Sequence, residues 1–151
     1  MQQVGSSMRE IRRGTAMLRL RALVLGEGAD ALELGGSDTL NLLSERGACR
    51  MSELADAMRV DASTATRAVA RLERAGLVAR APSPEDRRVV VVVPTDAGMA
   101  THLALRQRYE KVMAMICKGF DDAELTELAG LLDRLVAGMD ALPAPGATDL
   151  P

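Results

Sequence analysis

Along the first 26 positions a narrow apolar stripe runs through Met8, Ile11, Thr15, Leu18, Ala22 and Leu25. These steps alternate between three and four, the spacing of a seam between helices, and predict one helix over 8–26. Met17, Leu20 and Val24 widen its apolar face. Gly26, Gly28, Gly35 and Gly36 then interrupt the pattern, and Ser37 is placed to cap a helix running to Arg46 that packs Leu40, Leu42 and Leu43. Gly47 ends it. A short helix over 51–58 presents Leu54, Ala55 and Met58. Asp61 stands where an N-cap carboxylate would accept from the free N–H groups of the next helix, 62–75, which Gly76 closes.

After that glycine the period changes. Leu77 to Arg80 and Val89 to Val93 flank the polar segment Ala81-Pro82-Ser83-Pro84-Glu85-Asp86, the pattern of a β-hairpin. Pro94 stops the second strand and Thr95 opens a helix reaching about Lys118. Asp121 and Glu124 have capping-box spacing at the start of the last helix. That helix carries a second three–four seam, Leu125, Leu128, Leu132, Leu135, Met139 and Leu142, and residues 143–151 read as a disordered tail. The predicted order is four helices, a hairpin and two helices: a mainly α fold with a small β-wing.

Composition sharpens this picture. With one Phe, one Tyr and no Trp, the core has to be built from Leu, Val, Ala and Met. Cys49 and Cys117 are too few for a disulfide framework and fit a reducing cytoplasm, the expected location. No apolar run is long enough to span a membrane. The opening segment holds Arg9, Arg12, Arg13, Arg19 and Arg21 but no signal-peptide core or cleavage site, and reads as mature structure. The net charge of −2 does not suggest a nucleic-acid binder, but its distribution does. Residues 59–88 carry seven Arg against four acids, whereas 119–151 carry one Arg against seven acids. One basic face is thereby aimed at phosphate and an acidic end turned away from it.

The helix over 62–75 has two faces. Ala65, Ala68, Val69 and Leu72 point to the core, and Ser63, Thr66, Arg67, Ala70 and Arg74 lie opposite, flanked by Thr64 and Arg71. Short polar side chains near the N-terminus and long cations further along suit a helix that must approach base edges in the major groove. Such a face also suits an ordinary solvated helix, and the residues on either side of it decide between the two. Leu54-Ala55, Asp61 to Arg67, Leu72 to Val78, Asp86-x-Arg88 and Thr95-x-x-Gly98 together resemble the signature of the MarR (multiple antibiotic resistance regulator) family. Pro94 stands where that family usually has Leu, a departure at the strand end and away from the wing tip.

The resemblance implies a winged helix-turn-helix over 37–94, flanked by dimerisation helices in 1–30 and 96–142, all within one domain. It implies DNA contacts from Ser63, Thr64, Thr66, Arg67, Arg71, Asp86, Arg87 and Arg88. Arg88 would enter the minor groove with Asp86 orienting its guanidinium. A planar cation suits the concentrated negative potential of a narrow minor groove, and a nearby carboxylate can hold it in one rotamer. The expected function is sequence-specific binding of double-stranded DNA by a homodimer acting as a repressor on a pseudo-palindromic operator. A small-molecule effector would lie in a cleft lined by Leu, Met and arginines such as Arg12, Arg13, Arg19 or Arg46.

Other chemistries find little footing. His102 is the sole histidine, and with Cys49 and Cys117 it shows no metal-ligand spacing. No nucleophile elbow or glycine-rich phosphate loop accompanies it, so neither a cofactor nor an enzyme is expected. Two alternatives remain: a winged-helix protein-interaction module that does not bind DNA, and a redox sensor using Cys49, whose neighbour Arg50 would lower the thiol pKa if the site were exposed.

Overall fold

The computed structural model describes residues 2–26 and 34–142. The elements in order are α1 (Gln2–Arg13), α2 (Thr15–Leu25), α3 (Leu34–Arg46), α4 (Met51–Met58), α5 (Ala62–Arg74), β1 (Val78–Pro82), β2 (Val90–Pro94), α6 (Asp96–Cys117) and α7 (Asp122–Asp140). The chain is mainly α-helical, with one hairpin between helices. It divides into two compact units after Val112, the second comprising the end of α6 and α7. The tail over 143–151 lies outside the described residues.

Two boundaries differ from those the sequence predicts. The single helix expected over 8–26 begins at Gln2 and is broken at Gly14, whose backbone is extended (φ −67°, ψ 148°). The carbonyl of Glu10 comes so close that a Cβ at Gly14 would stand 2.6 Å from it, a position that only glycine tolerates without a shift. Ser37 does not cap α3, which instead begins three residues earlier at Leu34 and incorporates Gly35 and Gly36. The fully buried Thr39 donates its hydroxyl to the Gly35 carbonyl (2.6 Å), so this first turn is held from inside the helix.

The core of the first unit unites α3, α4, α5 and the hairpin. Leu40, Leu43, Leu54, Val69 and Val92 are completely buried, and Cys49, Leu72, Leu77 and Val78 pack with them. Each such aliphatic side chain stabilises the fold by about 1.5–3 kcal/mol relative to exposure. β1 and β2 pair antiparallel, from Val78 opposite Pro94 to Pro82 opposite Val90. Cys49 adds an isolated bridge on the other side of β2, exchanging backbone hydrogen bonds with Val92 (3.0 and 2.8 Å). The wing is thus stitched to the segment between α3 and α4.

The start of α6 is fastened to the end of α5. Thr95 N–H donates to the Leu77 carbonyl (3.0 Å), and its hydroxyl donates to the Gly76 carbonyl (2.7 Å). The same oxygen accepts from Gly98 N–H (3.0 Å). Gly98 is buried so closely on this joint that an added Cβ would lie 2.0 Å from the Leu77 carbonyl oxygen. In the second unit, Asp121 and Glu124 form the expected capping box. There Leu128, Leu131, Leu132, Leu135, Val136 and Met139 of α7 are all substantially exposed on the single chain.

Candidate nucleic-acid interface

α5 is positioned from both ends. At its start Asp61 is the N-cap, its Oδ1 accepting from Thr64 N–H (2.9 Å) and its Oδ2 from the Thr64 hydroxyl (2.7 Å), while the Ser63 hydroxyl also donates to Oδ1. The Ser63 and Thr64 hydroxyls, with the Thr64 backbone N–H, hold the Asp61 carboxyl well below the usual carboxylate range. At the other end Gly76 takes the left-handed conformation (φ +71°) that lets Leu77 turn back under the helix, its N–H reaching the Leu72 carbonyl (2.9 Å). Between the caps Ala65, Val69 and Leu72 are buried and Ala68 half-buried, as the apolar spacing predicts. α4 and α5 pack on each other and on α3, so the buried stripe fixes which side of α5 faces outward.

That outward side holds Ser63, Thr66, Arg67, Arg71 and Arg74, all exposed, with Thr64 half-buried at its edge. The Thr66 hydroxyl donates to the Ala62 carbonyl (2.7 Å), and the Arg67 guanidinium donates from Nη2 to Thr64 Oγ1 (3.1 Å). The Arg74 Nε–H donates to the Ala70 carbonyl (3.2 Å).

The wing tip is ordered by its own backbone. Ser83 N–H donates to the Val89 carbonyl (2.7 Å) and Val89 N–H to the Asp86 carbonyl (2.9 Å), which makes Arg87 and Arg88 the central residues of a tight turn. Both side chains are exposed, as is that of Asp86. Here the structure departs from the implied role of Asp86. Its carboxylate accepts from the backbone N–H of Arg88 (3.0 Å) rather than from the guanidinium. Its contribution is an Asx-type turn that fixes where the Arg88 side chain leaves the backbone.

A link that the sequence did not suggest joins the two surfaces. Arg80 on β1 donates from Nε to both carboxylate oxygens of Glu73 on α5 (3.1 and 3.3 Å). Opposite charges seven residues apart across a turn glycine were the available signal.

Two hollows border α3. A hollow of about 1060 Å³ is lined by α3, α4 and α5 residues including Asp38, Met58, Thr64, Arg67 and Arg71. A smaller one of about 290 Å³ is lined by Val24, Asn41, His102, Arg106 and Tyr109, among others. Arg12, Arg13, Arg19 and Arg46 line neither. Asp38 borders both, and burial pushes its carboxyl up. The Cys49 thiol, predicted to be lowered if exposed, is instead buried. Burial and then Glu53 push its pKa up, against Arg46. A protonated, covered sulfur is poorly suited to oxidant sensing. Among the described residues no group of three or more His, Cys, Asp or Glu is placed to hold a metal, and no helix is long and apolar enough to cross a membrane.

Two helices joined by a short turn, the second exposed and followed by a basic hairpin tip, define a winged helix-turn-helix protein. Comparisons with known proteins agree. The model of the MarR family matches residues 37–90. The HTH-type transcriptional regulator Mb0904 of Mycobacterium bovis is 30% identical, over 85% of this chain and 90% of its own length. The HTH-type transcriptional repressor IacR of Pseudomonas putida is 30% identical, over 67% of this chain and 60% of its own. The fold matches that of FabT from Streptococcus pneumoniae, solved in complex with DNA, with a TM-score of 0.76 at 22% identity, covering 94% of this chain and 99% of that one. This chain belongs to the MarR family of winged helix-turn-helix transcriptional regulators. The matches to several curated relatives span 55–64% of those proteins' own lengths.

Proposed function

We propose that the protein is a sequence-specific regulator of transcription that binds double-stranded DNA as a homodimer on a pseudo-palindromic operator. The observation that carries this reading is the pairing of two exposed cationic surfaces on one braced lobe. α5 presents Ser63, Thr66, Arg67 and Arg71, the wing presents Arg87 and Arg88, and the Arg80–Glu73 pair spans the two. The first turn of α5 bears only short side chains, so its backbone can approach base edges in a major groove. The wing arginines are then offered to the flanking minor groove. The exposed leucines of α7 and the apolar residues Ile11, Leu18 and Leu23 of α1 and α2 supply surface for a second copy. A twofold dimer would place two α5 helices in successive turns of one DNA face.

The repressor sign follows the name of IacR, and the fold shared with FabT is one that engages DNA in that protein. The larger hollow, bordered by Thr64, Arg67 and Arg71, gives an effector room to bind beside the reading helix. Selection of bound duplexes from a random library tests the proposal. The expected product is an inverted repeat with half-sites about one helical turn, roughly 10 base pairs, apart. A pool no different from its input would overturn the DNA reading and favour a protein-interaction module.

A further inference from the structure

We infer that Asp61 and Thr64 form a hydrogen-bond relay that positions the Arg67 guanidinium for base recognition, making Thr64 a determinant of sequence preference rather than a simple contact residue. The inference rests on the DNA-binding function proposed for α5 and the wing. Its basis is the direction in which the hydrogen bonds run. The Asp61 carboxylate has no proton to donate and accepts from Ser63 Oγ, Thr64 N and Thr64 Oγ1. The single hydroxyl proton of Thr64 is therefore committed to Asp61 Oδ2, and the lone pairs of Thr64 Oγ1 face the other way. Arg67 Nη2 donates into them at 3.1 Å. Carboxylate, hydroxyl and guanidinium thus form a chain in which each bond sets the polarity of the next.

The chain acts where position matters. Residues three apart on a helix are neighbours on its surface, and helical side chains lean toward the N-terminus. Arg67 is accordingly drawn back over the first turn of α5, beside the short side chains that open access to the groove. An unrestrained arginine distributes over many rotamers and loses that side-chain entropy when a base fixes it. The relay removes part of that freedom before DNA arrives, and a guanidinium held in plane discriminates between base pairs better than a mobile charge. Thr64 contributes this from a half-buried position at the edge of the exposed face.

Thr64→Val keeps the shape and the backbone N–H bond to Asp61, so the helix cap survives. Only the hydroxyl is lost. Binding of purified protein is measured on the duplex recovered from the random library and on a panel with each base pair changed in turn. Thr64→Val is expected to lower affinity for the recovered duplex about 3- to 10-fold, the worth of one hydrogen bond, and to flatten preference at the base pair that Arg67→Ala also flattens. Thr64→Ser restores both. The double variant Thr64→Val/Arg67→Ala is expected to be no worse than Arg67→Ala alone, since the two residues act as one unit. Unchanged preference in Thr64→Val, or a loss equal across all duplexes, overturns the relay while leaving DNA recognition intact. Absence of any preference in the wild-type protein overturns the DNA reading and the relay together.

Discussion

Arg88 shows how much of the proposed interface is decided at single positions. It occupies the centre of the wing turn with its side chain in solvent, and the hydrogen bonds that shape the turn come from the backbone and Asp86. Truncation therefore costs the fold little. Arg88→Ala is expected to keep the melting temperature nearly unchanged, as exposed substitutions away from caps usually shift stability within about 0.5 kcal/mol. DNA affinity, in contrast, is expected to fall by about 1–3 kcal/mol for each subunit engaged, with a shallower salt dependence because fewer counterions are released. Titration of labelled duplex at several salt concentrations measures both. Asp86→Ala is expected to give a milder defect, through a loosened turn rather than a lost charge. Wild-type affinity in Arg88→Ala would remove the wing from the interface.

At the scale of elements, α5 depends on its N-cap. The cap is strongest while Asp61 is ionised, and the folded state holds that carboxyl below the usual range. A carboxyl lowered by folding contributes stability that is complete above its unfolded value of about 3.9 and lost as the pH falls toward the folded one. Asp61→Ala is therefore expected to lower the melting temperature at pH 7, and the gap from wild type is expected to narrow in acid below about pH 4. Thermal melts followed by circular dichroism would show it; a gap independent of pH would mean that the carboxylate does not act through its charge. The caps at Asp61, Gly76 and Asp121 were legible in the sequence because each depends on one residue type at one backbone position. The apolar spacing of α4 and α5 was legible for the same local reason. The Gly14 break and the early start of α3 were not. Gly14 sits inside an unbroken apolar stripe that continues in α2, and the glycines at the start of α3 read locally as a break although the Thr39 hydroxyl holds that turn. The candidate site residues were legible as an exposed face, but the bonds among them were not, since side-chain direction is not encoded in spacing.

For the whole molecule, the exposed apolar stripe of α7 is a surface that a single chain leaves uncovered. Leu131, Leu132 and Val136 of α7 remain about half exposed on one chain. Covering side chains that are already half buried yields about 1 kcal/mol each, so a stable dimer has to draw on the whole α7 stripe together with the apolar residues of α1 and α2 to outweigh the cost of association. Leu132→Glu is expected to convert a dimer to a monomer at micromolar concentration in sedimentation equilibrium. A wild-type chain that sediments as a well-folded monomer would refute the homodimer.

The joint at Gly98 has a mechanical consequence for any such dimer. Because Thr95 and Gly98 rest directly on Gly76 and Leu77, the root of α6 is braced against the point where α5 becomes the wing. No compliant spacer separates them, so reading helix, wing and the base of the long helix move as one lever. An effector would then tune DNA affinity chiefly by changing the separation of two such levers across the twofold axis, not by bending either one. Gly98→Ala drives a Cβ into the Leu77 carbonyl and is expected to cost about 1–3 kcal/mol of stability, the usual penalty of overpacking. It is also expected to misalign the wing and α5 together, so that DNA preference weakens at the base pairs read by Arg67 and by Arg88 alike. Loss at only one of them would reveal a pivot within the lobe.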